Sequence, residues 1–196
     1  MKKLLFVTLC AAAGWFYFHD SAANWRGIPA ARDPVQSESQ LPAAFAHGVY
    51  TITPLARYKV TAVALERERY RFDRGADLAP VDLALGWGPM SVASVINELS
   101  ITQSGRWYEY RWPGQPPLDP GAIIAHSANT HCLPSTHELR EKLLAIKRHD
   151  LVTLEGYLVE VTTADGYRWR SSLSRTDTGG GSCEVLWLTD VSSKRP

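Results

Sequence analysis

The chain has almost no surplus of either charge: 21 Lys and Arg stand against 20 Asp and Glu over 196 residues. That near-balance removes any general electrostatic pull toward nucleic acid, and no nucleic-acid partner is expected. Cysteine is scarce. Of three, Cys10 lies inside an apolar N-terminal run, so Cys132 and Cys183 form the one pair that could bridge. Sequence cannot show that their sulfurs meet, and two buried thiols are the simpler expectation. No internal repeat and no low-complexity tract organises the chain. Long apolar runs are missing as well: Leu4 to Phe18 falls short of the roughly 17–25 residues that span a bilayer comfortably. No catalytic or cofactor motif is intact, and no cofactor or metal is expected. What is present is the balance of a folded globular chain, with 45% hydrophobic and 21% charged residues. Five of the seven Trp fall in the expected domain (Trp87, Trp107, Trp112, Trp169 and Trp187), where core and cross-strand packing explains them more simply than ligand stacking.

Lys2 and Lys3 precede the apolar run and should stay on the cytoplasmic side, so the rest of the chain should cross. Residues 1–20 therefore read as a signal anchor or a signal peptide. Ser21-Ala22-Ala23 suits cleavage near Ala23 and release to the periplasm. The cluster Trp15, Phe16, Tyr17 and Phe18 suits a membrane–water interface and a retained single-pass anchor in a bacterial inner membrane, with residues 4–18 as the membrane partner. Leu9 before Cys10 argues against a lipoprotein. Residues 21–47, broken by Pro29, Pro34 and Pro42, read as a flexible linker, and 48–192 as one domain.

Within that domain, Tyr58–Arg67, Arg106–Trp112, Leu151–Val161, Tyr167–Ser174 and Glu184–Val191 read as strands. Gly156 marks a bulge or a close backbone approach. Asp165-Gly166 reads as a hairpin turn. Ser91 is expected to cap one helix, Asp119-Pro120 a second, and Ser135-Thr136-His137-Glu138 to open a third. The fold expected is α+β: a curled antiparallel sheet, or a small OB-like barrel, with about three inserted helices after an N-terminal hydrophobic helix.

Several short patterns carry candidate chemistry. From Asp73 onward, Asp73-Arg74-Gly75-Ala76-Asp77-Leu78-Ala79-Pro80 resembles the Asp-Arg-Gly-His-x-Ala-Pro signature of the non-specific DNA/RNA endonucleases with a ββα-metal site. That resemblance implies a His base and a metal-holding Asn. Here Ala76 and Asp77 stand in place of the His, one residue is inserted, and Asn129 lies far downstream, so a turn with a locally paired Arg74 explains the segment better. Asp177-Thr178-Gly179 is the aspartic-protease triplet, but it occurs once and follows polar residues, and Gly179-Gly180-Gly181 reads as a flexible loop. His126, Asn129, His131, Cys132 and His137 include good zinc ligands without the spacing of a zinc site, and capping at helix ends accounts for them.

The candidate catalytic residues are His131, placed in a connecting loop as general base, and Asn129 as its orienter. The candidate ligand-binding residues are Trp87, Arg170, Ser172, Arg175 and Asp177; Arg170 and Ser172 equally suit a solvated outer face. The Ser127–His131 and Trp169–Asp177 segments are expected to line one cleft, with His131 facing Arg170 or Arg175. The run Leu83–Ser91, together with Ser127–His131 and Trp169–Glu184, resembles an uncharacterised family of bacterial membrane-anchored envelope proteins. That resemblance implies tethered delivery and no particular activity. The function expected is an envelope-anchored periplasmic binding or assembly module, with an envelope protein or a glycan as partner. The alternatives are a periplasmic hydrolase using His131 and a glycan-binding domain.

Overall fold

The computed structural model describes residues 26–195 apart from residue 28. The apolar N-terminal segment, with both of its expected fates, lies outside the described residues. Among the described residues no helix is long and apolar enough to cross a membrane.

The sheet is built on a 20-residue strand, β3 (Tyr50–Arg69), whose even-numbered residues from Ala56 to Ala64 enter the main core, while Ile52, on the other side of a bulge, packs with Val159 and Val161 in a separate cluster. Two short strands precede it, β1 (Val35–Ser37) and β2 (Phe45–His47), and both pair antiparallel with β3. Part of the stretch expected to be linker is thus held in the sheet. Next come β4 (Val81–Gly86), a 3-10 turn (Gly88–Ser91), helix α1 (Ala93–Ile96) and the hairpin β5 (Ser100–Ser104) with β6 (Trp107–Arg111). Helix α2 (Pro120–Ala125), β7 (Ser127–Pro134), helix α3 (His137–Ala145), β8 (Leu151–Thr163), β9 (Arg168–Arg170) and β10 (Glu184–Lys194) complete the chain.

The pairings return to their starting strand: β3 pairs β4, β4 pairs β7, β7 pairs β10, β10 pairs β8, and β8 pairs β3. The domain is sheet-rich α+β with a curled, mixed sheet. It is not wholly antiparallel, because β10 inserts between β7 and β8 and runs parallel to β7. Bulges let the long strands bend. Register shifts occur in β3 opposite β8 between Pro54 and Ala56, and opposite β4 between Ala64 and Glu66. A third falls in β10 between Leu188 and Asp190, where Gly156 of β8 is the partner. A Cβ on Gly156 would come within 1.9 Å of the Trp187 carbonyl oxygen, so this is the close backbone approach that its place in the strand predicts.

Alternation along β3 sends Ala56, Tyr58, Val60 and Ala62 into the main core with Leu83, Leu85, Leu154, Leu158, Leu186 and Leu188. Leu139 and Leu143 of α3, followed by Ile146, join the same core. Thr136 caps α3 by accepting from the Leu139 N–H at 3.2 Å, one residue later than the expected Ser135. Asp119 caps α2 as expected, accepting from Ala122. Ser91 does not cap α1. Its hydroxyl donates to the Gly88 carbonyl at 2.7 Å and accepts from the Ala30 N–H at 2.9 Å, which fixes the incoming chain instead. A second core under the β5–β6 hairpin collects Val63, Leu65, Met90, Ile96, Ile101 and Ile123. On β6, Tyr108, Tyr110 and Trp112 share one face, with Tyr110 and Trp112 stacked at 6.1 Å. The opposite face is solvent-exposed and carries Trp107, Glu109 and Arg111, matching the alternation read from sequence.

Candidate functional site

The outer face of β4 and β7 is where polar side chains enter an otherwise apolar sheet. Asp82 and His131 are register partners across that pair. Both are buried, at 0% and 4% side-chain exposure, and His131 Nδ1 lies 2.8 Å from Asp82 Oδ2. The approach is close but off-line: neither atom makes an aligned hydrogen bond, so the contact is better described as electrostatic. His131 also lines the neighbouring cleft. Asp82 Oδ1 accepts from Arg106 Nη1 at 2.7 Å.

Arg106 stands in the two-residue turn of the β5–β6 hairpin at φ 70, a left-handed conformation that a non-glycine residue rarely holds. Its surroundings fix it there. Tyr70 Oη accepts from its backbone N–H at 2.8 Å, Asp73 accepts from Nε at 2.7 Å, and the Ala79 carbonyl accepts from Nη1. The guanidinium carbon lies 3.7 Å from the Tyr70 ring centroid and 5.4 Å from that of Trp169. The Asp73–Arg106–Asp82–His131 network thereby fastens the inserted hairpin to the sheet, and Trp169 lies 4.6 Å from the His131 ring.

Two clefts flank this hairpin tip. The first, of about 460 Å³, is lined by His131, Arg106, Arg168, Trp169 and Arg170, with Trp107 and Cys183 at its border. The second, of about 170 Å³, shares Trp107 and Cys183 and continues to Trp87, Asn129, Arg175, Asp177 and Glu184. Trp107, one of the five Trp expected in core or cross-strand packing, is 48% exposed between them.

The Ser127–His131 and Trp169–Asp177 segments therefore meet, and His131 shares a cleft with Arg170. Arg175 opens instead onto the second cleft. Four assignments change. Ser127–His131 is not a loop but the first part of β7, buried throughout, so His131 is fixed by sheet register. Asn129 does not orient His131; it accepts from Gln103 at 2.5 Å and donates to the Arg106 carbonyl at 2.8 Å, and Asp82 occupies the position beside His131. Arg74 does not pair locally but reaches Asp165 at 2.6 Å across the fold. Ser172 is buried rather than solvated and donates to Asp177 at 2.6 Å. Arg170 lies outward and joins Arg168 on Glu160. Trp87 borders the second cleft although it is almost wholly buried.

Sequence reasoning missed Asp82, Arg106 and Glu184. Asp82 carried a signal as the single carboxylate inside the apolar run Val81–Leu85, and Glu184 as the carboxylate heading Val185–Leu188. Glu184 is 1% exposed, and burial pushes its carboxyl up to about 7, against the opposing pull of the Arg175 guanidinium in contact with it. Burial likewise pushes the Cys183 thiol up to about 11, although Asn129 donates to its sulfur at 3.5 Å. Cys132 and Cys183 are free thiols, the former fully buried. The described residues hold no group of three or more His, Cys, Asp or Glu able to share a metal ion. No family model, curated protein or solved structure matches the chain, so the functional reading stands on this geometry.

Proposed function

We propose that this is a membrane-anchored envelope protein whose domain is a ligand-binding module built on an OB-like barrel. The strand order supports the barrel reading. An OB fold closes five strands in a Greek-key ring and takes ligands on the face of its second and third strands, beside the loops joining strands one to two and four to five. Counted around the ring, those strands are β4 and β7, and the loops are residues 70–80 and 164–183. The observation that carries the proposal is that both clefts are bounded by β7 and by the 164–183 loop, with Asp73 of the 70–80 loop tied in through Arg106.

An envelope protein or a glycan fits this face better than nucleic acid. Arg106 is matched by Asp73 and Asp82, while Arg168 and Arg170 share Glu160, so the first cleft carries little net charge. Delivery to the periplasm follows from Lys2, Lys3 and the apolar run behind them, whether the segment is retained or removed near Ala23.

One observation favours a second reading. An imidazole beside a buried carboxylate, opening on a cleft with Arg170, has the parts of a hydrolase that uses His131 as base. Binding is preferred because Asp82 is already shared with Arg106 in a network that fixes the hairpin.

Turnover separates the two. The full chain, purified in detergent, is assayed against phosphodiester, ester and glycoside substrates beside His131→Ala. The binding reading expects no turnover above the variant's, and a change in tryptophan fluorescence when a soluble envelope extract is added. Turnover that disappears in His131→Ala replaces it with the hydrolase.

A further inference from the structure

The second cleft contains a polar group that the fold leaves unfinished. Glu184 heads β10 at its inner end, and its Oε1 is held by Arg175. Its Oε2 is buried and has no hydrogen-bond partner among the described residues. A buried carboxylate oxygen without a donor is costly, and natural folds rarely keep one without a reason. The other hydrogen bonds that Arg175 makes go to atoms outside Glu184. Its Nη1 also donates to Tyr58 Oη at 3.3 Å, and its Nη2 donates to Gln36 at 2.9 Å.

The charge of Glu184 is thus already matched, and what the site lacks is a neutral donor. A cation entering here would meet the Arg175 guanidinium at short range, and an anion would meet Glu184 and Asp177. The remaining walls are amphipathic. Tyr110 and the half-exposed Trp107 give aromatic faces, while Asp177, Thr178 and Ser182 give a polar rim. Aromatic faces beside hydrogen-bonding carboxylates suit a ring with apolar C–H faces and a hydroxylated edge. We propose that this cleft binds one saccharide unit, its ring face against Trp107 and one hydroxyl donating to Glu184 Oε2. A volume of about 170 Å³ suits a single ring. The adjoining cleft of about 460 Å³, reached past Trp107 and Cys183, gives room for further units of an oligosaccharide.

The proposal rests on the reading of the domain as a binding module, and the experiment tells the two apart. The full chain, in a detergent without a sugar headgroup, is titrated by calorimetry with chito-, cello-, xylo- and malto-oligosaccharides and with soluble peptidoglycan fragments. Choline and a neutral hexapeptide serve as the cationic and peptide probes. The expected result is binding of at least one saccharide, weakened at least tenfold by Trp107→Ala and by Glu184→Gln. Asp177→Asn, at the rim, guards against loss of folding in Glu184→Gln and should weaken binding too. Saccharide binding that all three variants leave unchanged overturns the assignment to this cleft, as does preference for choline or peptide. If an envelope extract perturbs the protein while no saccharide binds, this inference fails alone; if neither has an effect, the binding reading falls with it.

Discussion

At the scale of single residues, two titratable groups, Glu184 fully buried and His149 half-buried, oppose each other in pH dependence. Glu184 has its carboxyl raised from about 4.5 to about 7, first by burial. The folded state then holds a proton that the unfolded chain releases, so this contribution to stability falls as pH rises from about 4.5 to about 7. His149 is lowered from 6.5 to about 4, by burial and then by Arg148, so its contribution rises as pH climbs from about 4 to about 6.5. Over the shared window the two offset each other, and the wild-type urea midpoint should vary little. Glu184→Gln should leave a midpoint that rises across that window. His149→Asn, chosen because the backbone there has φ 70, should leave one that falls. Identical profiles for both variants and the wild type would show that neither group titrates as described. Neither effect was readable beforehand. A carboxylate heading an apolar run stands out, but neither it nor a lone His shows the shift it will undergo, and Glu184 acquires its character only when β10 is enclosed between β7 and β8.

At the scale of elements, two glycines separate crowding from backbone conformation. Gly166 sits in the β8–β9 hairpin at φ 86, with open space where a Cβ would go. Gly156 has ordinary backbone angles but lies against the Trp187 carbonyl opposite the β10 bulge. Gly166→Ala should therefore cost about 1 kcal/mol, the left-handed penalty alone. Gly156→Ala should cost about 2–3 kcal/mol or more, because backbone must move. Urea denaturation of the two variants checks the order, and equal costs would mean that the β8–β10 approach relaxes easily. Both glycines were legible in sequence, Gly156 from its place in a β-branched run and Gly166 from the Asp-Gly pair. The strand Ser127–Pro134 was not. Its Asn, Thr and His residues look like a loop because the hairpin tip covers its outer face, and polar contacts there replace the apolar–polar alternation of a half-exposed strand. β1 and β2, three residues each, are too short to show a period at all.

At the scale of the whole molecule, the proposed topology makes a claim independent of any ligand. Alkaline phosphatase fused after Pro196 should be active, because Lys2 and Lys3 hold the N-terminus in the cytoplasm and the domain passes outward. An inactive phosphatase fusion together with an active cytoplasmic reporter at the same position would reverse the orientation. The α+β class and five of the strands, those at β3, β6, β8, β9 and β10, could be read from periodicity and turn residues. The pairing of β3 with β8 could not, since it joins Tyr50 to Thr163 and depends on contacts far apart in the chain. The shared placement of His131 and Arg170 was anticipated from polar residues at strand ends, whereas the acid beside the histidine was hidden inside an apolar strand.

The insertion of β10 between β7 and β8 also has a consequence in time. On the proposed export route, with the N-terminus held back, the chain delivers β3, β4, β7 and β8 before it delivers β10. Until Glu184–Lys194 arrives, β7 and β8 each present an open edge and the leucines of the main core have no lid. The domain cannot mature piece by piece as it emerges, and it must be kept from aggregating until its final strand is through. A chain cut short before Glu184 would also be left with both edges bare and open to proteolysis, so the strand that completes the candidate site is also the one that closes the sheet.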